Sequence, residues 1–173
     1  PETGDCHELT SYEEFMEAYK TQLQHFVDLK IEGNNVIERL FANEMPSPFM
    51  SVLMDDCIDR GLDYHNGGPR YNTTYIQGVG IGTVTDALAA VKSHVFEQKT
   101  VALGDLVSAL DNNFEDSEKL RQTLLHRSPK YGNDDDYADD LMVRAFSAIF
   151  DEVDGRPNSK GGTYQVEMLP TTC

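Results

Sequence analysis

Residues 163–169, with the sequence TYQVEML, show the clearest strand pattern in a chain whose other apolar residues recur at helical spacing. One short strand does not form a stable sheet, so this segment needs a partner. A stretch near residues 73–77 is the candidate within the sequence, and a partner outside the 173 residues is the alternative. The sequence therefore predicts an α/β fold that is mostly helical and has one to three strands.

The helices are predicted from apolar residues that repeat every three or four positions. The first helix follows a capping box formed by Ser11 and Glu14 and ends before Pro46, and the glycine and asparagines at 33–35 leave open one bent helix or two. The intervening residues 61–82 are predicted to be mostly irregular, because they hold six of the 13 glycines. Further helices are predicted at residues 49–58, 85–98, 103–112, 117–126 and 135–153.

The chain is strongly acidic, with a net charge of −16 from 30 acidic and 14 basic residues. Such a field repels nucleic acid and anionic lipid, so neither is expected as a partner. No apolar stretch of the sequence is long enough to span a membrane. The three cysteines, Cys6, Cys57 and Cys173, are far apart and show neither disulfide nor metal-ligand spacing, which favours the reducing cytoplasm.

Two acidic segments share the spacing D-D-x-x-D, at residues 55–59 and 135–139. Paired carboxylates can hold Mg²⁺ against a diphosphate, which makes a small all-α magnesium- and diphosphate-binding protein the alternative interpretation. Such a site also needs cationic side chains for the phosphates. Only Arg60 and Arg70 lie near the first segment in the sequence, so the metal interpretation lacks a basic cluster that would bind the phosphates.

Helix capping explains the second acidic segment without a metal ion. The first turn of a helix leaves backbone N–H groups unpaired and carries partial positive charge, so aspartate stabilises it by about 0.3–2 kcal/mol. We expect Asn133 or Asp134 to cap a helix that starts near Asp135, with Asp136 in its first turn and Asp139 in solvent.

A third interpretation of the whole chain is an acidic scaffold or interaction domain.

Other motifs do not identify a site. The segment GVGIG, residues 78–82, lacks the third glycine of a dinucleotide fingerprint, because position 83 is threonine. The five histidines are scattered and no two are four residues apart, which excludes a helical pair of metal ligands. Cys57 lies among apolar and acidic residues and is predicted to be a small buried residue rather than a nucleophile. Local chemistry alone therefore predicts no catalytic residue and no metal ligand.

Three long segments nonetheless occur in a distinctive order. They are PSPFMSVLMDDCIDRGLDYHNGGPRYNTTYIQGVGIGTVTDALAAVKSHVF, PKYGNDDDYADDLM and GGTYQVEMLPTTC. This order resembles the interior of a glycyl radical enzyme, the family of pyruvate formate-lyase and the radical dehydratases. The resemblance extends from about Ser11 to Cys173. It implies a mostly helical segment of that family's ten-stranded α/β barrel.

In that family a barrel of two five-stranded half-barrels is wrapped by helices, and two loops meet inside it. One loop carries a cysteine within G-C-x-E, and the other carries a glycine within R-V-x-G-Y. Neither pattern occurs in the 173 residues. The resemblance therefore implies that residues 1–173 are an internal segment of the barrel domain that lacks both loops and contains no catalytic residue.

The segments RYNTTYIQGVGIGT and MLPTTC look most like those of the radical dehydratases, which are carbon–oxygen lyases. The resemblance implies a glycyl radical outside this segment, installed by an iron–sulfur activating enzyme that uses S-adenosylmethionine. It implies no metal ion bound by the chain itself. The implied partners are that activase and a small amino-acid-like substrate, and the resemblance leaves a homodimer open.

The end of MLPTTC holds the two residues that the resemblance places near the chemistry. A barrel strand would end there facing the cavity, so the hydroxyl of Thr171, with Thr172 beside it, would contact the substrate or relay a proton. The alternative is that both threonines only satisfy backbone groups at a strand end. We expect Thr171→Ala in the intact enzyme to lower turnover without unfolding it.

Overall fold

A computed structural model describes residues 1–169 of the chain. Its helices are α1 (Tyr12–Glu44), α2 (Pro48–Ser51), α3 (Asp55–Arg60), α4 (Ile81–Val91), α5 (Leu103–Asp111), α6 (Glu118–Arg127) and α7 (Asp136–Val153). Its strands are β1 (Thr74–Gly78) and β2 (Tyr164–Met168), and its shorter turns are the 3₁₀ turns Cys6–Glu8 and Tyr64–Asn66 and the π-helical turn Lys92–Glu97. The prediction of a mostly helical α/β fold with one to three strands is confirmed.

Helix α1 is continuous over 33 residues, so the glycine and asparagines at 33–35 do not divide it. Ser11 Oγ accepts a hydrogen bond from the backbone N–H of Glu14 (3.2 Å), and Glu14 Oε2 accepts one from the backbone N–H of Ser11 (3.1 Å). This reciprocal pair is the predicted capping box, which is confirmed.

Although α1 is long, no helix within residues 1–169 combines the length and the apolar character that crossing a bilayer requires.

The described residues fall into two compact units, and the first contains residues 1–22 and 80–148. The beginning of α1, α4 and the first turns of α7 supply its core. On α1 and α7 the buried residues lie four positions apart, which places them on one helical face. The buried core residues are Tyr12, Met16, Leu88, Ala89, Leu141 and Ala145.

The second unit contains residues 23–79 and 149–169. Within it β1 and β2 run parallel, starting with Thr74 opposite Tyr164. The partner that the strand at 163–169 requires therefore lies within the sequence, at the predicted position. The small core of this unit is formed by Val27, Ile31, Val153 and Tyr164.

Helix α4 begins at Ile81, four residues before the predicted start at 85. Gly80 precedes it with a left-handed backbone (φ 84°), a conformation that glycine adopts at low cost. Of the glycines of GVGIG, Gly78 ends β1, Gly80 precedes α4 and Gly82 lies in the first turn of α4. Because glycine is uncommon inside helices, this first turn is not predicted from the sequence. The helix continues as the π-helical turn Lys92–Glu97, a change of geometry that uniform apolar spacing does not predict.

The prediction of a single helix at 49–58 is wrong. Residues there form the two short helices α2 and α3, and Met54 between them has an extended backbone (φ −120°, ψ 116°). The carboxylate of Asp63 accepts hydrogen bonds from the backbone N–H of Ser47 (2.9 Å) and the hydroxyl of Ser51 (2.7 Å). These bonds hold α2 against the loop that follows α3, and the extended backbone of Met54 separates the two helices. The remaining predicted helices, and both strands, agree with the structure to within one residue.

Candidate functional site

Strand β2 leads along the chain to the two predicted site residues. It ends at Met168, and the next residue still extends the ladder, because the backbone N–H of Leu169 donates to the carbonyl of Gly78 (3.3 Å). Thr171 and Thr172 lie outside the described residues. Their contact with a substrate or a relayed proton therefore stays a prediction.

A carboxylate on α1 holds the beginning of both strands. Glu38 accepts hydrogen bonds from the hydroxyls of Thr74 and Ser159, the latter at 2.7 Å. Lys160 Nζ lies 3.2 Å from Glu38 Oε1, and the two side chains are only 22% and 13% exposed, respectively. Burial raises the pKa of Glu38, but the hydrogen bonds and the lysine outweigh burial, and the net pKa lies below its ordinary value. The carboxylate is therefore ionised at neutral pH.

The side chain of Asn158 ties the turn before β2 to the segment before β1. Its amide nitrogen donates to the carbonyl of Asn72 and to Thr74 Oγ1 (2.9 Å). Its amide oxygen accepts from the backbone N–H groups of Lys160 (3.0 Å) and Gly162 (2.8 Å). Donor and acceptor ends of the amide are both used, so this side chain helps to set the register of the strand pair.

Tyr164 anchors the start of β2 against α1. Its ring is fully buried, and its hydroxyl donates to Asn35 Oδ1 at 3.0 Å. Burial raises the pKa of the phenol, so the group stays protonated at neutral pH. Tyr164 therefore acts as a structural hydrogen-bond donor.

The acidic segment at 55–59 forms α3. Asp55 and Asp56 lie in its first turn, where they interact favourably with the positive end of the helix. Asp56 Oδ1 also lies 3.1 Å from Arg70 Nη2, in an ion pair near the surface. Within residues 1–169 these carboxylates belong to no group of three close ligand atoms. Cys57, in the same helix, is 3% exposed, which confirms that it is a small buried residue.

The acidic segment at 135–139 begins α7, and it caps that helix as expected, although with a different cap residue. Asp135 Oδ1 accepts a hydrogen bond from the backbone N–H of Tyr137 (3.0 Å). Asp135 is therefore the cap, and the prediction of Asn133 or Asp134 is wrong. Asp134 has a left-handed backbone (φ 55°), so the chain enters helical geometry later than expected.

The structure brings together one set of metal-ligand types that no sequence pattern predicted. Within residues 1–169, only Asp5, Cys6 and His7 form a group of three ligating side chains, with ligand atoms within 4.8 Å of one another. Asp5 Oδ1 caps the first 3₁₀ turn by accepting a hydrogen bond from the backbone N–H of His7 (2.9 Å), and this bond lowers the pKa of the Asp5 carboxyl. The one sequence signal for this group is that three residue types that bind metal ions follow one another directly. The usual patterns of zinc ligands are helical histidine pairs and closely spaced cysteine pairs, so this run does not match them.

The sequence model of the pyruvate formate lyase-like family matches residues 1–173. Trans-4-hydroxy-L-proline dehydratase from Clostridioides difficile is 55% identical over 172 residues, which cover 99% of this chain and 22% of that enzyme. A crystal structure of hydroxyproline dehydratase from the same organism, with trans-4-hydroxy-L-proline bound, gives a TM-score of 0.94 and 54% identity over 98% of this chain and 21% of the other. A glycyl radical enzyme from Archaeoglobus fulgidus gives a TM-score of 0.82 and 37% identity over 90% of this chain and 20% of the other.

The chain therefore belongs to the pyruvate formate lyase-like family, and its fold is that of part of a glycyl radical enzyme barrel. The resemblance to trans-4-hydroxy-L-proline dehydratase, which RYNTTYIQGVGIGT and MLPTTC predict within the family, is confirmed. The chain spans about a fifth of the length of the relatives that it matches. These relatives support the radical dehydratase interpretation and not the small magnesium- and diphosphate-binding protein.

Proposed function

We propose that residues 1–173 are an internal wall segment of a glycyl radical dehydratase that removes water from trans-4-hydroxy-L-proline. The observation that carries this proposal is the 55% identity and the TM-score of 0.94 to hydroxyproline dehydratase over almost the whole chain. The thiyl cysteine, its neighbouring glutamate and the radical glycine are proposed to lie elsewhere in the enzyme, because the sequence contains neither G-C-x-E nor R-V-x-G-Y. The segment alone is therefore expected to be inactive.

Exposed apolar side chains in the second unit support a role as part of a larger structure. Phe49, Leu53 and Tyr71 are 79%, 73% and 84% exposed, and they belong to a larger set of exposed apolar residues. Folded proteins rarely leave extended apolar surface in water unless it is an interface. The remaining polypeptide of the enzyme, which makes up about four-fifths of the relatives' length, would cover this surface.

The threonines near the end of the segment are the residues proposed to reach the chemistry. The polar contacts of Glu38, Asn158 and Tyr164 hold β1 and β2 together, and Thr171 follows β2 after two intervening residues. A hydroxyl at a strand end is able to donate to a substrate oxygen and to accept from a carboxylic acid. Thr171, with Thr172 beside it, would thus contact the substrate or relay its proton.

The proposed enzyme depends on a glycyl radical, installed by an iron–sulfur activating enzyme that uses S-adenosylmethionine. That radical would generate a thiyl radical at the cysteine of G-C-x-E, which would abstract a hydrogen atom from the substrate, and no residue of this segment is assigned to the step. The contribution of the segment is to shape the cavity and to hold substrate in it. We place the enzyme in the cytoplasm, because the three cysteines show no disulfide spacing.

The test is an anoxic assay of the full-length protein after treatment with its activase. We expect an electron paramagnetic resonance signal of a glycyl radical, and conversion of trans-4-hydroxy-L-proline to a product lighter by one water. Glycerol, a small polyol without the amino-acid groups, is the matched alternative substrate. Loss of water from glycerol but not from hydroxyproline contradicts the substrate assignment, and failure to form the radical contradicts the enzyme class.

A further inference from the structure

The first 3₁₀ turn places three different metal-ligand types beside a cleft in the first unit. We infer that Asp5, Cys6 and His7 form a binding site for a divalent cation with the ligand preference of Zn²⁺. Its residues differ from those of the magnesium sites considered for the D-D-x-x-D segments. It also departs from the expectation that the chain binds no metal ion.

The three ligand atoms are already close to the spacing that such an ion requires. They lie within 4.8 Å of one another. Tetrahedral Zn²⁺, with bonds of about 2.0–2.3 Å, needs its ligand atoms about 3.5 Å apart, so modest side-chain rotations close the site. The hydrogen bond from the backbone N–H of His7 to Asp5 Oδ1 (2.9 Å) holds the backbone of the turn. It uses one of the two carboxylate oxygens and leaves the other for the ion.

The imidazole of His7 is held in place by the beginning of α5. A Cβ at Gly104, the second residue of that helix, would approach His7 Cε1 to 2.1 Å and Nδ1 to 2.7 Å. The ring of the exposed His7 side chain therefore lies against this glycine, and a larger residue at position 104 would require the ring to shift.

A cleft of about 350 Å³ adjoins the turn and is lined by Cys6 and His7. Thr10 and Lys99 also line this cleft, so its wall is partly polar. The cleft leaves space for a fourth ligand, a water molecule or a small anion. Three protein ligands with an open fourth position are typical of Zn²⁺ sites that retain a bound water.

The chemistry of the three groups selects the class of ion. Cys6 is a free, half-buried thiol, and a thiolate together with an imidazole favours zinc-like ions over hard cations. Mg²⁺ and Ca²⁺ prefer sites made of oxygen ligands alone. The site is therefore expected to bind Zn²⁺ or Co²⁺ and not to bind Mg²⁺.

Co²⁺ is the probe, because it occupies zinc sites and a thiolate ligand gives it a near-ultraviolet charge-transfer band. We expect the full-length protein, after treatment with a chelator and kept reduced, to show that band with Co²⁺ and to lose it when Zn²⁺ is added. Cys6→Ser removes the thiolate, so the band disappears. Cys57→Ser changes a buried cysteine of the second unit and is the matched control, which keeps the band.

His7→Ala is a second variant, which keeps the Cys6 thiolate and the Asp5 carboxylate. It removes the imidazole, so we expect Co²⁺ affinity to fall by at least about 10–100-fold, which is the cost of disturbing only the support of a metal ligand. A parent protein without the band, or a band that survives Cys6→Ser, overturns the proposal. Unchanged affinity in His7→Ala overturns it as well, since His7 would not be a ligand. The readout is binding, so its failure is independent of dehydratase activity.

Discussion

Glu38 Oε1, on α1, lies 3.2 Å from Lys160 Nζ, in the turn that leads into β2, and both side chains are mostly buried. The same carboxylate accepts a hydrogen bond from the hydroxyl of Thr74, at the start of β1. One ionised group therefore ties a helix to both strands. Contacts of this kind hold the strand pair rigidly, as the proposed role of the segment as a cavity wall would require.

Replacing Glu38 with glutamine keeps the size of the side chain but removes its charge. Lys160 then remains mostly buried without a carboxylate, and such a loss costs about 1–3 kcal/mol. We expect amide hydrogen exchange across β1 to become faster in Glu38→Gln. Glu32→Gln, an exposed position on the same helix, is the control and should leave exchange unchanged. Equal protection of β1 in the two variants would show that the Glu38–Lys160 pair does not hold the strand.

The stabilisation from Glu38 should also depend on pH. Burial raises the pKa of this carboxyl, but its hydrogen bonds and Lys160 outweigh burial, so the folded pKa lies below the unfolded value of about 4.3. The stabilisation is therefore present above about pH 4.3 and is lost as the pH falls through the folded pKa. We expect the difference in denaturation midpoint between the parent protein and Glu38→Gln to shrink below that pH. A difference that stays constant into acid would mean that the carboxylate charge contributes nothing.

Gly162→Ala and Gly33→Ala form a matched pair of substitutions in the second unit. A Cβ at Gly162 would lie 2.2 Å from the carbonyl oxygen of Asn72, which cannot move without shifting the approach to β1. Gly33 lies within α1 and has nothing within 4 Å of an added Cβ. We expect the thermal midpoint to fall for Gly162→Ala and to rise for Gly33→Ala, because alanine is favoured in a helix interior by about 0.5–1 kcal/mol. A midpoint that stays unchanged or rises in Gly162→Ala would contradict the close approach at Gly162, and a fall in Gly33→Ala would contradict the open space at Gly33.

Sequence patterns predicted the long elements because each buries one face. On α7, Ala138, Leu141 and Ala145 repeat at the spacing that a buried helical face requires. The predictions failed where local backbone geometry decides the structure, as at the left-handed Gly80 before α4 and the extended Met54 between α2 and α3. Single residues in such conformations leave no periodic signal.

The contacts that position the strands could not be predicted from the sequence. Glu38 bonds to Thr74 and Ser159, which lie 36 and 121 residues away, and no local pattern reports pairs at such separations. The run Asp5–His7 was visible but matched no familiar ligand spacing. Thr171 was singled out only through the family resemblance, since a threonine after a strand is ordinary in itself.

Thr171→Ala in the full-length enzyme should lower kcat without changing the unfolding midpoint. A hydroxyl that relays a proton contributes as a general acid–base group does, so we expect a loss of about 100-fold or more at saturating substrate. Thr21→Ala is the control, because that exposed hydroxyl only donates to the carbonyl of Glu17 within α1 (2.9 Å). Unchanged kinetics for Thr171→Ala would remove this residue from the site.

The most direct measurement compares the activated full-length protein with residues 1–173 alone, both incubated without oxygen with trans-4-hydroxy-L-proline. Mass spectrometry of the products detects the loss of one water. We expect that loss only with the full-length protein, because the reacting groups are proposed to lie outside this segment. Conversion by residues 1–173 alone, or no conversion by a full-length protein that carries the glycyl radical, would contradict the proposed function.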